Sequence, residues 1–102
     1  MGYQLKETQR FVDCMAIASG FDEDELISKS RKWPLPACRW FIGSELVDLG
    51  YPSTIAAKEI GLDHATLLYG RKQIKIMRKT RRWKWENEIH ENFKKLINAD
   101  KQ

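Results

Sequence analysis

Residues 50–79 read GYPSTIAAKEIGLDHATLLYGRKQIKIMRK, and this stretch decides the fold. Ser53 to Ile60 is a short helical segment with Ile55, Ala56 and Ile60 on an apolar face and Ser53 as a cap. Gly61 stops it, as glycine commonly does just past a helix end. Only Leu62 intervenes before Asp63, a good N-cap for a second and longer helix. In that helix, read from Asp63 to Lys79, Leu67, Gly70, Ile74 and Met77 recur at helical spacing and form the buried side. His64, Leu68, Arg71, Lys75, Arg78 and Arg82 fall opposite. A short helix, a tight glycine turn and an amphipathic longer helix spell a helix-turn-helix over about residues 53–79. In such motifs the second helix enters the major groove of DNA with its N-terminal residues against the base edges.

The flanking segments also read as helix. The first runs from Lys6 to Ser19, with Thr8 as cap, a stripe of Phe11, Val12, Met15, Ile17 and Ala18, and Gly20 as stop. A second, from Asp22 to Ser28, gathers its acids in the first turn and points Leu26 and Ile27 inward. Pro34 or Pro36 opens a third, to about Leu49, with Cys38, Phe41, Ile42, Leu46 and Leu49 at helical spacing. A last helix, Trp85 to Asn98, carries Trp85, Ile89, Phe93, Leu96 and Ile97. The expectation is a single all-α domain over residues 1–102, a compact bundle of about six helices.

Charge is distributed unevenly along the 102 residues. Of the 18 basic and 14 acidic side chains, 7 basic and 10 acidic fall in residues 1–68, and 11 basic and 4 acidic in residues 69–102. The first segment therefore sums to −3 and the second to +7, giving the net +4. Arg71, Lys72, Lys75, Arg78, Lys79, Arg81, Arg82 and Lys84 follow one another without an acid. Like charges so placed repel one another, and a polyanion relieves the repulsion while releasing its own counterions. A smaller cluster, Lys29, Arg31 and Lys32, lies in the loop Ser28 to Trp33, and Arg39 follows it.

Several function classes are excluded at this level. No apolar run reaches the roughly 18–20 residues of a membrane span. The start, MGYQLKETQRF, lacks the apolar core of a signal peptide, so a cytoplasmic location is expected. No phosphate-binding G-x-x-x-x-G-K-[ST] loop is present. No nucleophile has the helpers that catalysis needs, so the chain does not read as an enzyme. Cys14 and Cys38 are expected as two buried thiols, and with only His64 and His90 to add imidazoles, neither a metal nor a cofactor is expected.

The residues of the helix-turn-helix resemble a known family. Gly50-Tyr51-Pro52-Ser53-Thr54, followed by Ile60-Gly61-Leu62-Asp63-His64-Ala65-Thr66-Leu67-Leu68, is similar to the signature of the C-terminal DNA-binding domain of the bacterial replication initiator DnaA. That signature reads approximately G-Y-S-x-x-x-I-[GA]-x-x-[LF]-G-R-D-H-[ST]-T-V-[LI]-[HY]. The basic loop Ser28-Lys29-Ser30-Arg31-Lys32, the pair Cys38-Arg39 and the closing amphipathic helix extend the likeness to about residues 8–98. The resemblance implies a Trp repressor-like fold and sequence-specific binding of duplex boxes at replication origins and some promoters. It also implies a nucleoid-associated monomer on an asymmetric site, with other replication or regulatory proteins as further partners.

By the same resemblance, Asp63, His64 and Thr66 fall on base- or backbone-contacting positions of the recognition helix, and Ala65, between them, is counted with the base-contacting set. Arg31 or Lys32 falls near a minor-groove arginine, and Arg39 near the phosphate backbone. From charge and position alone, Arg71, Lys75 and Arg78 are expected as phosphate clamps, and Lys29, with Arg31 and Lys32, at a phosphate or in the minor groove. Two departures stand out. Leu62 replaces the usual Arg, and Ala65 replaces a Ser or Thr that contacts DNA. The ATPase domain that precedes this domain in the family is not in the sequence, so the chain reads either as a stand-alone relative or as the DNA-reading end of a larger initiator. A protein-interaction domain that keeps the fold is the other reading. It draws on Leu62, Ala65 and the aromatics Trp33, Trp40, Trp83 and Trp85, which serve either as partner anchors or as cover for the bundle core.

Overall fold

The computed structural model describes residues 2–99. Six α-helices follow in order: α1 Thr8–Ser19, α2 Glu23–Ile27, α3 Leu35–Asp48, α4 Ser53–Glu59, α5 His64–Arg78 and α6 Lys84–Ala99. A 3-10 turn, Arg81–Trp83, joins α5 to α6. None of these helices is long and apolar enough to cross a membrane.

Helix α3 is the central element. Leu35, Ala37, Cys38, Arg39, Trp40, Phe41, Ile42, Gly43 and Leu46 are all buried, so it is covered nearly all round. An apolar helix of this kind is stable only inside a bundle. Around it, α1 contributes Phe11, Val12, Cys14 and Met15, and α6 contributes Ile89, Phe93 and Ile97. Phe11 and Phe93 meet edge to face with centroids 6.2 Å apart. The Arg10 guanidinium donates to the Ile97 carbonyl at the end of α6. Lys94 on α6 reaches Glu45 on α3 at 2.9 Å.

The helix boundaries follow local chemistry. Gly20, at φ +82°, ends α1 by donating to the Ala16 carbonyl at 2.9 Å. Asp22 and Glu25 form a reciprocal capping box at the start of α2. Pro34 stands at the N-cap of α3, and Pro36 falls in its first turn, where no N–H is needed. The α4–α5 turn is a Schellman motif: Leu62 N–H donates to Ala57 O at 2.9 Å and Gly61 N–H to Lys58 O at 3.3 Å. Gly61 takes the left-handed conformation, φ +74°, that this motif requires.

Several expectations need correction. Thr8 is not a cap. It is buried in the first turn of α1, and its hydroxyl donates to Glu59 Oε1 at 2.5 Å. Glu59 also accepts the Gln4 and Leu5 amides, each at 2.9 Å, so the N-terminal segment is tied to α4 by one carboxylate. Ser53 begins α4 but its side chain does not cap it. Ile17, Ile27, Leu49 and Ile55, all read as inward, are exposed, and so is Trp85, read either as a partner anchor or as cover for the core. Trp40, read either as a partner anchor or as cover for the core, is buried.

Helices α3 and α5 pack closely where glycine stands in each of them. A Cβ on Gly70 would stand 2.3 Å from Trp40 Cγ and 2.4 Å from its Cδ1. One on Gly43 would instead meet the ends of Leu67 and Ile60, at 2.8 and 2.9 Å. Alanine gains up to about 1 kcal/mol of helix propensity over glycine, but overpacking costs typically about 1–3 kcal/mol. Gly70→Ala, which must displace an indole ring, should therefore lower the urea midpoint clearly. Gly43→Ala, which meets only movable methyl groups, should lower it less.

Candidate nucleic-acid interface

The start of α5 and the basic loop face each other across one groove of about 470 Å³. Asp63, Thr66 and Tyr69 line one wall, Lys29 and Arg31 line the other, and Arg39 and Trp40 form part of the floor. Lys32 is exposed on the same loop, and His64 and Ala65 are exposed in the first turn of α5 beside the groove. Thus the structure brings together Lys29, Arg31, Asp63 and Thr66, which are distant in sequence, and places His64 and Ala65 next to them.

Asp63 caps α5. Its Oδ1 accepts the Thr66 amide at 2.7 Å. That bond, with help from the Thr66 hydroxyl, holds the carboxyl below the usual aspartate range. Only part of the carboxylate is engaged, since two oxygens offer about four acceptor sites. Asp63 can therefore both cap and accept from a base amino group.

Arg39, expected near the phosphate backbone, is turned into the fold. It is only 4% exposed. Its Nε donates to Leu26 O at 2.7 Å and its Nη1 to Ser30 O at 2.7 Å. Its Nη2 reaches Glu25 O and Ser28 Oγ, both at 3.3 Å. One guanidinium thus gathers the end of α2 and the basic loop from beneath, and burial lowers its pKa from the ordinary arginine value. The adjacent Cys38 thiol is pushed up to about 12 by burial, which keeps it protonated and inert.

Arg71, Lys75 and Arg78 lie apart from this groove. They border a second depression, of about 390 Å³, between α3, α5 and α6. Arg71 Nη1 donates to Ser44 O and Oγ, at 3.0 and 2.8 Å, and its Nη2 pairs with Asp48 at 3.2 Å. Arg78 Nη1 donates to His90 Nδ1 at 3.1 Å. Lys75 is exposed. Two of the three expected phosphate clamps are therefore partly committed to the fold.

The sequence pattern passed over three features. Tyr69 is exposed at the groove wall and packs edge-on against Trp40, 5.8 Å away. Trp40 meets Trp33 at 5.9 Å, and Trp33 meets Trp83 at 5.8 Å, so four rings run along the loop-facing side of α5. Lys72 and Ile76 extend the exposed face of α5 beyond Leu68. Their positions follow from the same 3.6-residue period that marks Leu67 and Gly70 as buried.

No family model matches the chain, and no curated protein and no solved structure matches it. The resemblance to the replication-initiator domain is therefore carried by the quoted residues alone.

Two predictions follow from these contacts. Arg39→Lys loses the planar fork that binds three carbonyls at once. It should cost on the order of 2 kcal/mol of stability and speed amide hydrogen exchange across residues 28–32 relative to α5. Separately, His90 is buried, stacked on Phe41 at 4.4 Å, and its pKa is lowered to about 4 by desolvation, then by Arg78 and Lys94, with Asp48 opposing. The unfolded imidazole binds its proton near pH 6.5, so the folded state gains stability above that pH and loses it as pH falls toward about 4. Wild-type urea midpoints should drop from about pH 6.5 to 5, above the range where carboxylates titrate, whereas His90→Gln should stay nearly level there.

Proposed function

We propose that this chain binds double-stranded DNA in a sequence-dependent way, with the first turns of α5 in the major groove and the loop of residues 28–33 on the flanking backbone or in the minor groove. The observation that carries this reading is the shared groove, in which the basic loop and the capped start of α5 lie side by side. Duplex recognition by a helix-turn-helix needs base-edge contacts from the start of the second helix and phosphate contacts beside them. Asp63, His64, Ala65 and Thr66 would meet base edges. Lys29, Arg31, Lys32 and Lys75 would hold phosphates, with Arg71 and Arg78 near enough to contribute. By resemblance to the initiator domain, the role is in replication initiation or its regulation, or in transcription, by a monomer at the nucleoid.

Exposed Leu68, Tyr69 and Ile76 on α5 favour a second reading, a domain that docks on protein. In a major groove these side chains have another use, since thymine methyls and sugar edges offer apolar contact.

Fluorescence anisotropy with a duplex carrying the initiator's box and with a random duplex, at several salt concentrations, separates the readings. The DNA reading expects affinity to fall with salt at a log–log slope of about −0.9 per phosphate contacted. His64→Ala should weaken the preferred site by roughly 5- to 100-fold and leave the random duplex nearly unchanged. Lys32→Gln with Lys75→Gln should weaken all duplexes alike and flatten the slope. No binding to either duplex at low salt would overturn the proposal in favour of protein docking.

A further inference from the structure

Beyond Arg78, the chain turns a corner built from Arg81, Arg82, Trp83, Lys84 and Trp85. Arg81, Arg82 and Lys84 are exposed. Trp83 is half-buried, ties back to Trp33, and has the Arg82 guanidinium 5.4 Å from its ring centroid. Trp85 differs from the other three tryptophans. It projects from the first turn of α6 with 52% of its surface exposed, and it is the one large hydrophobic residue so exposed on that helix among the described residues. It stands at the far end of α5 from His64, across a helix of 15 residues, roughly 22 Å at 1.5 Å per residue.

An indole left in water forgoes a large burial gain. Here it follows three exposed cations in sequence, Arg81, Arg82 and Lys84, two of which, Arg81 and Lys84, share a depression with Glu88 and Glu91 while Arg82 stands outside it. The charge calls for an anionic partner, and the flat ring calls for a π-face or an apolar surface. A bilayer fits poorly. A lone tryptophan supplies little insertable area. Duplex DNA offers phosphates but keeps its base faces stacked internally. A single strand offers both at once: phosphates for the cations and an unpaired base for the ring.

We propose that the α5–α6 corner binds single-stranded nucleic acid, with Trp85 as a stacking platform and Arg81, Arg82 and Lys84 holding the adjoining phosphates. This activity is separate from duplex reading by the groove and stands whether or not that reading holds.

The test is anisotropy titration of the full chain with labelled oligothymidylate and oligouridylate of about 15 nucleotides, beside a duplex of the same length. Wild type should bind the single strands with a log–log salt slope of about −0.7 per phosphate, and Arg81→Gln with Arg82→Gln should flatten that slope. Trp85→Ala should weaken single-strand binding about tenfold, whereas Trp85→Phe, which keeps a ring, should stay within about threefold. Thermal melts of both variants check that the fold is intact, which the exposure of Trp85 favours. Duplex affinity should be unchanged by either substitution. Stronger retention of the deoxy or the ribo strand tells which of the two the corner serves. The proposal fails if wild type ignores single strands at low salt, or if Trp85→Ala leaves their binding unchanged. It also fails if Trp85→Ala weakens the duplex equally, because the corner would then belong to the duplex footprint.

Discussion

The approach of α3 to α5 at Gly70 governs the geometry of the interface. Because Gly70 has no side chain, the Trp40 indole lies against the backbone of α5. Its neighbour in sequence, Arg39, ties the basic loop to the end of α2 with four hydrogen bonds, two to the loop at Ser28 and Ser30 and two to Glu25 and Leu26 of α2. Two consecutive residues of one buried helix thus fix the two halves of the groove relative to each other. A loop held only by its own backbone would sample many positions and would pay ordering entropy on binding. Here the guanidinium has already ordered it, so its lysines and Arg31 are presented from a rigid base.

Charge is handled by the same economy of contacts. The acid-free run from His64 to Trp85 places many cations on α5 and the following corner. Only part of that repulsion is relieved internally. Arg71 leans on Asp48 and on the Ser44 carbonyl, and Arg78 leans on a neutral imidazole rather than on a carboxylate. His90 can serve there because burial beside Arg78 and Lys94 keeps it unprotonated. The exposed remainder, Lys72, Lys75, Lys79, Arg81, Arg82 and Lys84, stays available to a polyanion, and the charge-lined end of α5 is what a packed bundle alone would not require.

Much of the fold was legible in the sequence because it depended on local rules. The glycine stops, the Asp63 cap and the buried series Leu67, Gly70, Ile74 and Met77 follow from capping and period, and all stand in the structure. What was not legible depended on partners far along the chain. Thr8 looks like a cap until Glu59, 51 residues away, claims its hydroxyl. Trp85 looks like the first apolar position of α6, but it lies one position off the buried row of Glu86, Ile89, His90, Phe93 and Ile97. The buried position passes to Glu86, whose carboxylate accepts from the Trp33 indole at 2.5 Å. Resemblance places Arg39 near the phosphate backbone, and only the fold of α2 and the loop over it supplies the carbonyls that hold it. Within the candidate site, the helix residues were readable and the groove was not, since one of its walls comes from a loop more than 30 positions upstream.

Leu62 shows how the turn constrains what the site can read. In the Schellman motif it occupies the position after the left-handed glycine, where an apolar residue packs back on the preceding helix. It is half-buried, packs against the core, and still lines the groove. An arginine there could reach a guanine edge, but it would give up that packing. With Ala65 beside it, the chain has an apolar entrance to α5 followed by His64 and the capping Asp63. Contacts of that kind favour thymine methyls at one or two positions over a dense set of hydrogen bonds to guanine. If α5 reads duplex DNA, its preferred site should therefore be richer in A·T pairs opposite Leu62 and Ala65 than the initiator's box, and randomised-duplex selection reads that bias directly.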